Sequence, residues 1–352
     1  MKKKSSTDFN DIPWMVLTEF SVELAEPICN IFNSAMLEGI WPQIWKHEYV
    51  TPVPKIFPPK NLKDLRKISG TKNLSKILEA LLTEHIIEDI SPHMDSAQYG
   101  NKKGLGITHY LVSMLNQILT ILDTNSSSEK NAVIATLIDW SQAFDRQDSK
   151  QIIDSFVSNG LRPTLVPILS NFFKDREMTV KWHGTVSSSR KLPGGCPQGS
   201  TFGLLGYEVN SNDNSDHIPE QMKFKFIDDL SFLEKLNLLL AGIISYNFNN
   251  HVASDVGIHQ SYIPNQNLQT QEYIKQIETW TEQKNCKLNV SKSNIMIFNF
   301  NDNQFTTRLY MANTLLEVIH ETKLLGTIVT SDLKWSRNTE SLVKRAYSRM
   351  QI

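Results

Sequence analysis

Cysteine is scarce in this chain. Cys29, Cys196 and Cys286 are the three in 352 residues, far apart and odd in number. They form neither a disulfide framework nor a zinc motif, which suits a reducing interior. Long apolar runs are missing too: "LNLLLAGIISY" is too short to span a bilayer, and "MKKKSSTDF" lacks the apolar core of a signal peptide. The expectation is a soluble intracellular protein of the cytoplasm or nucleus, with no membrane partner. Nor is there an excess of either charge. Lys and Arg number 36 against 37 Asp and Glu, for a formal charge of −1. That balance argues against nucleic-acid binding through overall basicity and says nothing of local patches. No internal repeat stands out.

What is there suffices for a sizeable core and two or three domains, with 40% hydrophobic and 21% charged residues. Residues 14–39 read as helical, punctuated by Pro27 and ended by Gly39. "EYVTPVPKIF" reads as extended, "NLSKILEALLTEHIIEDI" and "THYLVSMLNQILTIL" as amphipathic helices, and "TNSSSEKN" as a polar linker. "AVIATLIDW" is nearly all apolar and β-branched, the pattern of a central strand buried on both faces. Two helices, "SKQIIDSFVSNGL" and "TLVPILSNFFKD", precede a hairpin turning at His183-Gly184 and a glycine-rich loop, "LPGGCPQGS". Residues 248–270 read as polar and irregular. "TQEYIKQIETWTEQKN" puts Tyr273, Ile274, Ile277 and Trp280 on one helical face, and "NIMIFNF", "TRLYMAN" and "LLGTIVT" supply strands before a last helix. The alternation implies a sheet with helices on one face. Between residues 55 and 76, seven lysines and arginines stand against Asp64 alone. This is either a solvated face or a surface that meets phosphates.

One stretch conflicts with its own pattern. In "MKFKFIDDLSF", Met222, Phe224 and Phe226 alternate with Lys223, Lys225 and Ile227, and then Asp228 and Asp229 interrupt the run. An Asp-Asp turn with Leu230–Leu233 returning as a second strand would place two repelling carboxylates at a hairpin tip. A cation there removes the conflict. The apolar strand "AVIATLID" ends in a third acid, Asp139, which needs a partner or a metal. If the two segments share a sheet, three carboxylates at adjacent strand ends can hold two magnesium ions for phosphoryl transfer.

These residues carry a resemblance. "LIDWSQAFD", "GGCPQGSTFG", "FKFIDD", "KLNVSKSNIMIF" and "KLLGTIVTSDLKW" occur in the order and spacing of reverse-transcriptase motifs A to E. Upstream, "VTPVPKI" with "DLRKISGTKNLSKILE", and "AQYGNKKGLGITHYLV", resemble the fingers segments of non-LTR retrotransposon polymerases. The resemblance implies an α+β right-hand polymerase. Residues 1–130 would hold N-terminal helices and fingers, and 131–335 the palm, with a fingers insertion at about 146–192. The palm would be an antiparallel sheet backed by helices, and 336–352 would begin a truncated thumb. The implied activity is RNA-directed DNA polymerisation with two Mg2+, Mn2+ being a substitute, on an RNA template, a DNA primer and dNTPs. Asp139 and Asp228 would be direct metal ligands, with Asp229 completing the acidic cluster. Phe144 falls at the steric gate against a 2′-hydroxyl, and Gln198 and Gly199 in the loop beside the templating pair. Lys55 and Arg66 match residues that hold the triphosphate, Lys292 a proton donor to pyrophosphate, and Leu325 and Gly326 the primer grip. The departures are mild: Ile227 where Ala or Val is common, and Lys67 where proline is.

The family's endonuclease, ribonuclease H domain and full thumb are expected to be missing from this chain, which would leave processivity poor. Two alternatives remain open. One is a catalytically inactive retrotransposon-derived fragment with weak nucleic-acid binding. The other is an unrelated magnesium phosphohydrolase, which would not account for the ordered loop and fingers motifs.

Overall fold

The computed structural model describes residues 11–124, 129–240, 261–301 and 305–350. The chain opens with α1 (Trp14–Glu19), α2 (Ser21–Glu38), β1 (His47–Pro54), β2 (Leu65–Gly70), α3 (Asn73–Ile90) and α4 (Ile107–Asp123). Then come β3 (Asn131–Ile138), α5 (Ser149–Ser158), α6 (Val166–Phe173), β4 (Glu177–Trp182), β5 (Thr185–Val186), β6 (Arg190–Lys191) and α7 (Thr201–Asn210). The remainder is β7 (Lys223–Phe226), β8 (Asp229–Asn237), β9 (Ser261–Ile263), α8 (Gln269–Gln283), β10 (Asn294–Phe298) and β11 (Phe305–Thr307). Last are β12 (Tyr310–Met311), β13 (Thr314–Leu315), β14 (Glu317–Ile319), β15 (Glu321–Leu324), β16 (Thr327–Thr330) and α9 (Ser336–Met350). Residues 125–128 of the expected linker and 248–260 of the expected irregular stretch lie outside the described residues.

Two compact units form, each from three chain segments: 1–95, 142–213 and 284–286 in the first, and 96–141, 214–283 and 287–352 in the second. In the first, a sheet of order β2-β1-β4-β5 carries β6 on β4, with β1 antiparallel to β2 and parallel to β4. Its core is aromatic. Trp41, fully buried, meets Phe172 edge-on at 5.0 Å, and Phe172 meets Phe202 at 5.1 Å. Such pairs add roughly 1 kcal/mol each beyond their buried area.

Helix α7 is absent from the elements expected from sequence, because Gly203 and Gly206 lower its propensity. Both glycines are there for packing. A Cβ at Gly206 would lie 2.8 Å from the Phe173 ring, and one at Gly203 would collide with the Pro197 carbonyl. The helix starts at Ser200, whose Oγ accepts the Gly203 N–H at 3.1 Å. Glu79 of α3, almost wholly buried, accepts from Ser200 Oγ at 2.6 Å and from the Thr201 and Phe202 amides at 2.9 and 3.3 Å. Ser75 Oγ supplies a further donor at 3.1 Å. Burial pushes the Glu79 carboxyl up, against these hydrogen bonds.

In the second unit the sheet runs β14-β10-β3-β8-β7. Strand β3 pairs antiparallel with β8 from Asn131↔Asn237 to Ile138↔Leu230, and with β10 on its other edge. The expected antiparallel sheet therefore holds for β10, β3, β8 and β7, while β14 joins β10 in parallel. Tyr110, Met114 and Ile118 of α4 pack on one face with Val133, Ala135, Leu233 and Phe298. Phe232, the neighbour of Leu233 and so on the opposite face, meets Tyr273 of α8 edge-on at 5.9 Å. Helices thus cover both faces, not one. A β3 apolar on both faces requires it, since either bare face would leave Val, Ile or Leu in water.

Smaller departures concern turns. The first helix breaks at Phe20 and keeps Pro27 inside α2, although Gly39 ends it in the left-handed conformation, φ 66. "LLGTIVT" is not one strand. Leu325 and Gly326, both at positive φ, make the tip between β15 and β16. Helix α8 buries Ile274, Ile277 and Trp280 as its periodicity implies. No helix among the described residues is long and apolar enough to cross a membrane.

Replacing Glu79 with Ala orphans buried donors at the start of α7 and is expected to lower unfolding free energy by about 3 kcal/mol. Urea denaturation measures this; a loss below about 1 kcal/mol would contradict the role given to Glu79.

Candidate active site

The acidic hairpin is closed by the pair Phe226↔Asp229, so the two turn residues are Ile227 and Asp228. The turn therefore falls one residue earlier than the Asp-Asp turn expected, and Asp229 opens β8. Ile227 takes φ +57, a region that a β-branched residue occupies only under constraint. On the neighbouring strand, the last β3–β8 pair is Ile138↔Leu230. One step further along the same register, Asp139 comes opposite Asp229, and Asp228 sits beside it on the turn. Asp139 and Asp229 are half-buried and Asp228 is exposed.

Charge at this sheet end is concentrated. Burial first, then the charges of Asp228 and Asp139, push the Asp229 carboxyl up to about 7. Asp139 is held from the other side by the loop before β10. Asn289 Nδ2 donates to Asp139 Oδ2 at 2.6 Å, and the Asn289 amide donates to the Asp139 carbonyl at 2.8 Å. Ser293 Oγ accepts the Asp139 N–H at 3.0 Å. Lys292 belongs to this same loop, its amide bonded to the Asn289 carbonyl at 3.0 Å and its side chain exposed. Asn289 and Ser293 are not among the residues singled out from sequence. Their signal is the turn chemistry of "NVSKSN", which a lysine-centred reading passes over.

Hard carboxylate oxygens, one of them destabilised for want of a counter-charge, are a donor set suited to Mg2+. Among the described residues no group of three or more His, Cys, Asp and Glu could hold a metal ion. Mutual repulsion, the exposure of Asp228 and the tie of Asp139 to Asn289 oppose tighter convergence. Mg2+ is commonly bound through one or two carboxylates with water and substrate phosphate completing its shell, so Asp139, Asp228 and Asp229 fit it without all three closing on one ion.

The other expected site residues belong to the first unit. Lys55 follows the end of β1 and Arg66 pairs with Val53 across the β1–β2 ladder; both are exposed. The Ser69 amide of β2 donates to the Gln198 carbonyl at 2.7 Å. At Gly199, φ +119, an added Cβ would lie 2.7 Å from the Ser69 carbonyl, so the close approach there requires glycine. Phe144 is half-buried and stacks on Tyr207 of α7, centroids 4.7 Å apart. Its carbonyl accepts the Cys196 amide at 2.8 Å, and the adjacent Asp145 pairs with Lys67 at 3.1 Å. Strand β2, the Gln198-Gly199 loop and the Phe144 segment are thus tied together within this unit. Leu325 and Gly326 belong to the second unit, at the β15–β16 tip.

With this geometry in place, known proteins of similar sequence are informative. The RNA-directed DNA polymerase from mobile element jockey of Drosophila melanogaster is 24% identical over 272 residues, 74% of this chain and 26% of the relative. The probable RNA-directed DNA polymerase from transposon BS of the same organism is 24% identical over 91% of this chain and 33% of its own length. That from transposon X-element is 22% identical over 90% of this chain and 32% of its own. Over most of its length the chain is similar to RNA-directed DNA polymerases of mobile elements. It spans about a quarter to a third of the length of these relatives. No family model matches it. An apo telomerase from Candida tropicalis, truncated from its C-terminal domain, superposes with a TM-score of 0.47 at 9% identity. The match covers 95% of this chain and 62% of that one.

In metal-free protein, Asp229 keeps its proton to about pH 7 when folded, against an ordinary value of 3.8. The folded state then holds more protons between those values, so stability falls as pH rises from 4 to 7. The melting temperature of wild type minus that of Asp229→Asn is expected to drop by about 3–6 °C from pH 5 to 8. Parallel melting profiles for the two proteins would refute the shift.

Proposed function

We propose that the chain is the fingers-and-palm core of a mobile-element reverse transcriptase, adding deoxynucleotides to a DNA primer along an RNA template. The β3–β8 register, which sets Asp139 opposite Asp229 with Asp228 beside them, is the observation that most supports this reading. The palm would comprise 131–335 around the β10-β3-β8-β7 sheet, the fingers 1–130 with the insertion at about 146–192, and α9 would begin a thumb.

Asp139 and Asp228, with Asp229, would hold two magnesium ions, which supply charge stabilisation to the attacking primer 3′-oxygen and the leaving pyrophosphate. The three carboxylates would hold these ions at the sheet end. Lys55 and Arg66, at the open end of an exposed two-stranded ribbon, suit the triphosphate. Phe144, stacked on Tyr207, would present its ring to a ribose 2′-hydroxyl. Gly199 lets the backbone approach a base edge where a side chain would intrude, and Gln198 flanks it. Lys292 donates a proton to pyrophosphate from the loop that anchors Asp139. A catalytically inactive fragment with weak nucleic-acid binding is the second reading, favoured by the incomplete convergence of the carboxylates.

Primer extension on an RNA template with dNTPs and Mg2+ separates the two. Asp228→Ala is expected to cut extension by about a thousandfold or more, and Phe144→Val to admit ribonucleotides at least about tenfold better. Absence of extension by folded wild type at high primer–template concentration would decide for the inactive reading.

A further inference from the structure

The strained turn that carries the acidic pair is clasped by one side chain to which the proposed polymerase chemistry gives no role. Gln98 is 3% exposed and lies in "AQYG", ahead of α4. Its backbone runs alongside β7 as an added strand: the Lys225 amide donates to the Ala97 carbonyl at 2.9 Å, and the Tyr99 amide to the Lys225 carbonyl at 2.8 Å. The side chain then reaches past the end of β7 to the turn. Gln98 Oε1 accepts the Ile227 amide at 2.9 Å, and Gln98 Nε2 reaches the Ile227 carbonyl at a long 3.5 Å. The same Oε1 accepts the Gly100 amide at 2.9 Å, which fixes the carboxamide from its own loop. Gly100 leaves room for this. A Cβ there would come within 2.6 Å of Ile227 Cγ1 and 2.8 Å of the Ile227 amide nitrogen.

We propose that Gln98 is a positioning residue, a carboxamide latch that holds Ile227 at positive φ and thereby aims Asp228 and Asp229 at the metal site. Three features converge on this role. Ile is among the residues least suited to φ +57, so an outside constraint must hold it there. A planar amide with one donor and one acceptor can engage both backbone groups of a single residue, which no charged or apolar side chain of similar size does. And the latched residue immediately precedes the two carboxylates, so a change of its φ swings both. Repulsion from Asp139 favours such a swing outward, and the latch opposes it. The consequence for catalysis depends on the polymerase reading; the latch itself does not.

The test compares wild type with Gln98→Leu, which keeps size and removes both hydrogen-bonding groups, and with that change combined with Ile227→Gly, which takes positive φ freely. Three readouts apply to the whole chain, metal-free or metal-titrated. Hydrogen exchange across residues 222–232 is expected to quicken about tenfold or more in Gln98→Leu. Mn2+ affinity and primer extension are expected to fall about ten- to a hundredfold, with extension regained at higher Mg2+. Ile227→Gly in the same chain should restore most of the affinity and extension, a rescue that a merely structural glutamine would not show. Unchanged exchange and Mn2+ affinity in Gln98→Leu overturn the proposal, as does failure of Ile227→Gly to rescue either loss. If wild type binds Mn2+ but extends no primer, the polymerase reading falls while exchange and Mn2+ affinity still decide for or against the latch. Should Gln98→Leu not fold, Gln98→Asn replaces it, drawing the amide back by one methylene. The same losses and the same rescue then support the latch, and their absence overturns it.

Discussion

Repulsion between carboxylates at the end of one sheet is the constraint on which the second unit depends. Strand β3 delivers Asp139 and strand β8 delivers Asp229 to facing positions, and the turn adds Asp228. Nothing in this arrangement favours folding by itself. Like charges opposite each other across a ladder are destabilising, and burial of Asp229 compounds the cost. The arrangement persists because eight consecutive β3–β8 pairs and two covering helices leave the strand ends no alternative. The apolar strand is what makes an acidic site tolerable. The hydrogen bond from Asn289 to Asp139, and the one Gln98 accepts from the Ile227 amide of the turn, fix two of the approaches.

The first unit answers a different requirement, close backbone approach. Gly199 nestles on the Ser69 carbonyl, Gly195 on the Asp145 segment and Gly203 on Pro197, so a glycine-rich stretch becomes a rigid loop leading into α7. Glu79 then caps that helix from α3 with a buried carboxylate. The same loop carries Gln198, and the same helix carries Tyr207, the platform under Phe144. Local flexibility in sequence is thus converted to rigidity by packing, which a propensity scale registers only as weakness.

That contrast explains what can be read from the residues alone. The buried central strand, the α8 core face and the acidic hairpin declare themselves through periodicity, which survives any tertiary context. Helix α7 does not, because its glycines serve neighbours distant in sequence. Strand β2 does not, because consecutive charges at Arg66 and Lys67, on opposite faces, break the alternation. The acidic turn lies one residue from its expected place. Asp is the better turn former, but the β7–β8 pairing and the Gln98 latch put Ile227 there instead. Candidate site residues are legible as an ordered set of motifs; Asn289 and Ser293 leave only the turn chemistry of their loop, and Tyr207 and Gln98, which act through geometry, leave no mark on their own.

The central claim is that the three aspartates form a divalent-cation site, and direct Mn2+ binding tests it most plainly. The paramagnetic resonance of free Mn2+ would be followed as metal-free protein is titrated, wild type beside Asp139→Asn and Asp228→Asn. Saturable binding at pH 8 that either substitution weakens by about tenfold or more is the expected result. Binding that is equally weak and unsaturable in all three proteins would contradict it, and the aspartates would then be a strained relic of the sheet's geometry.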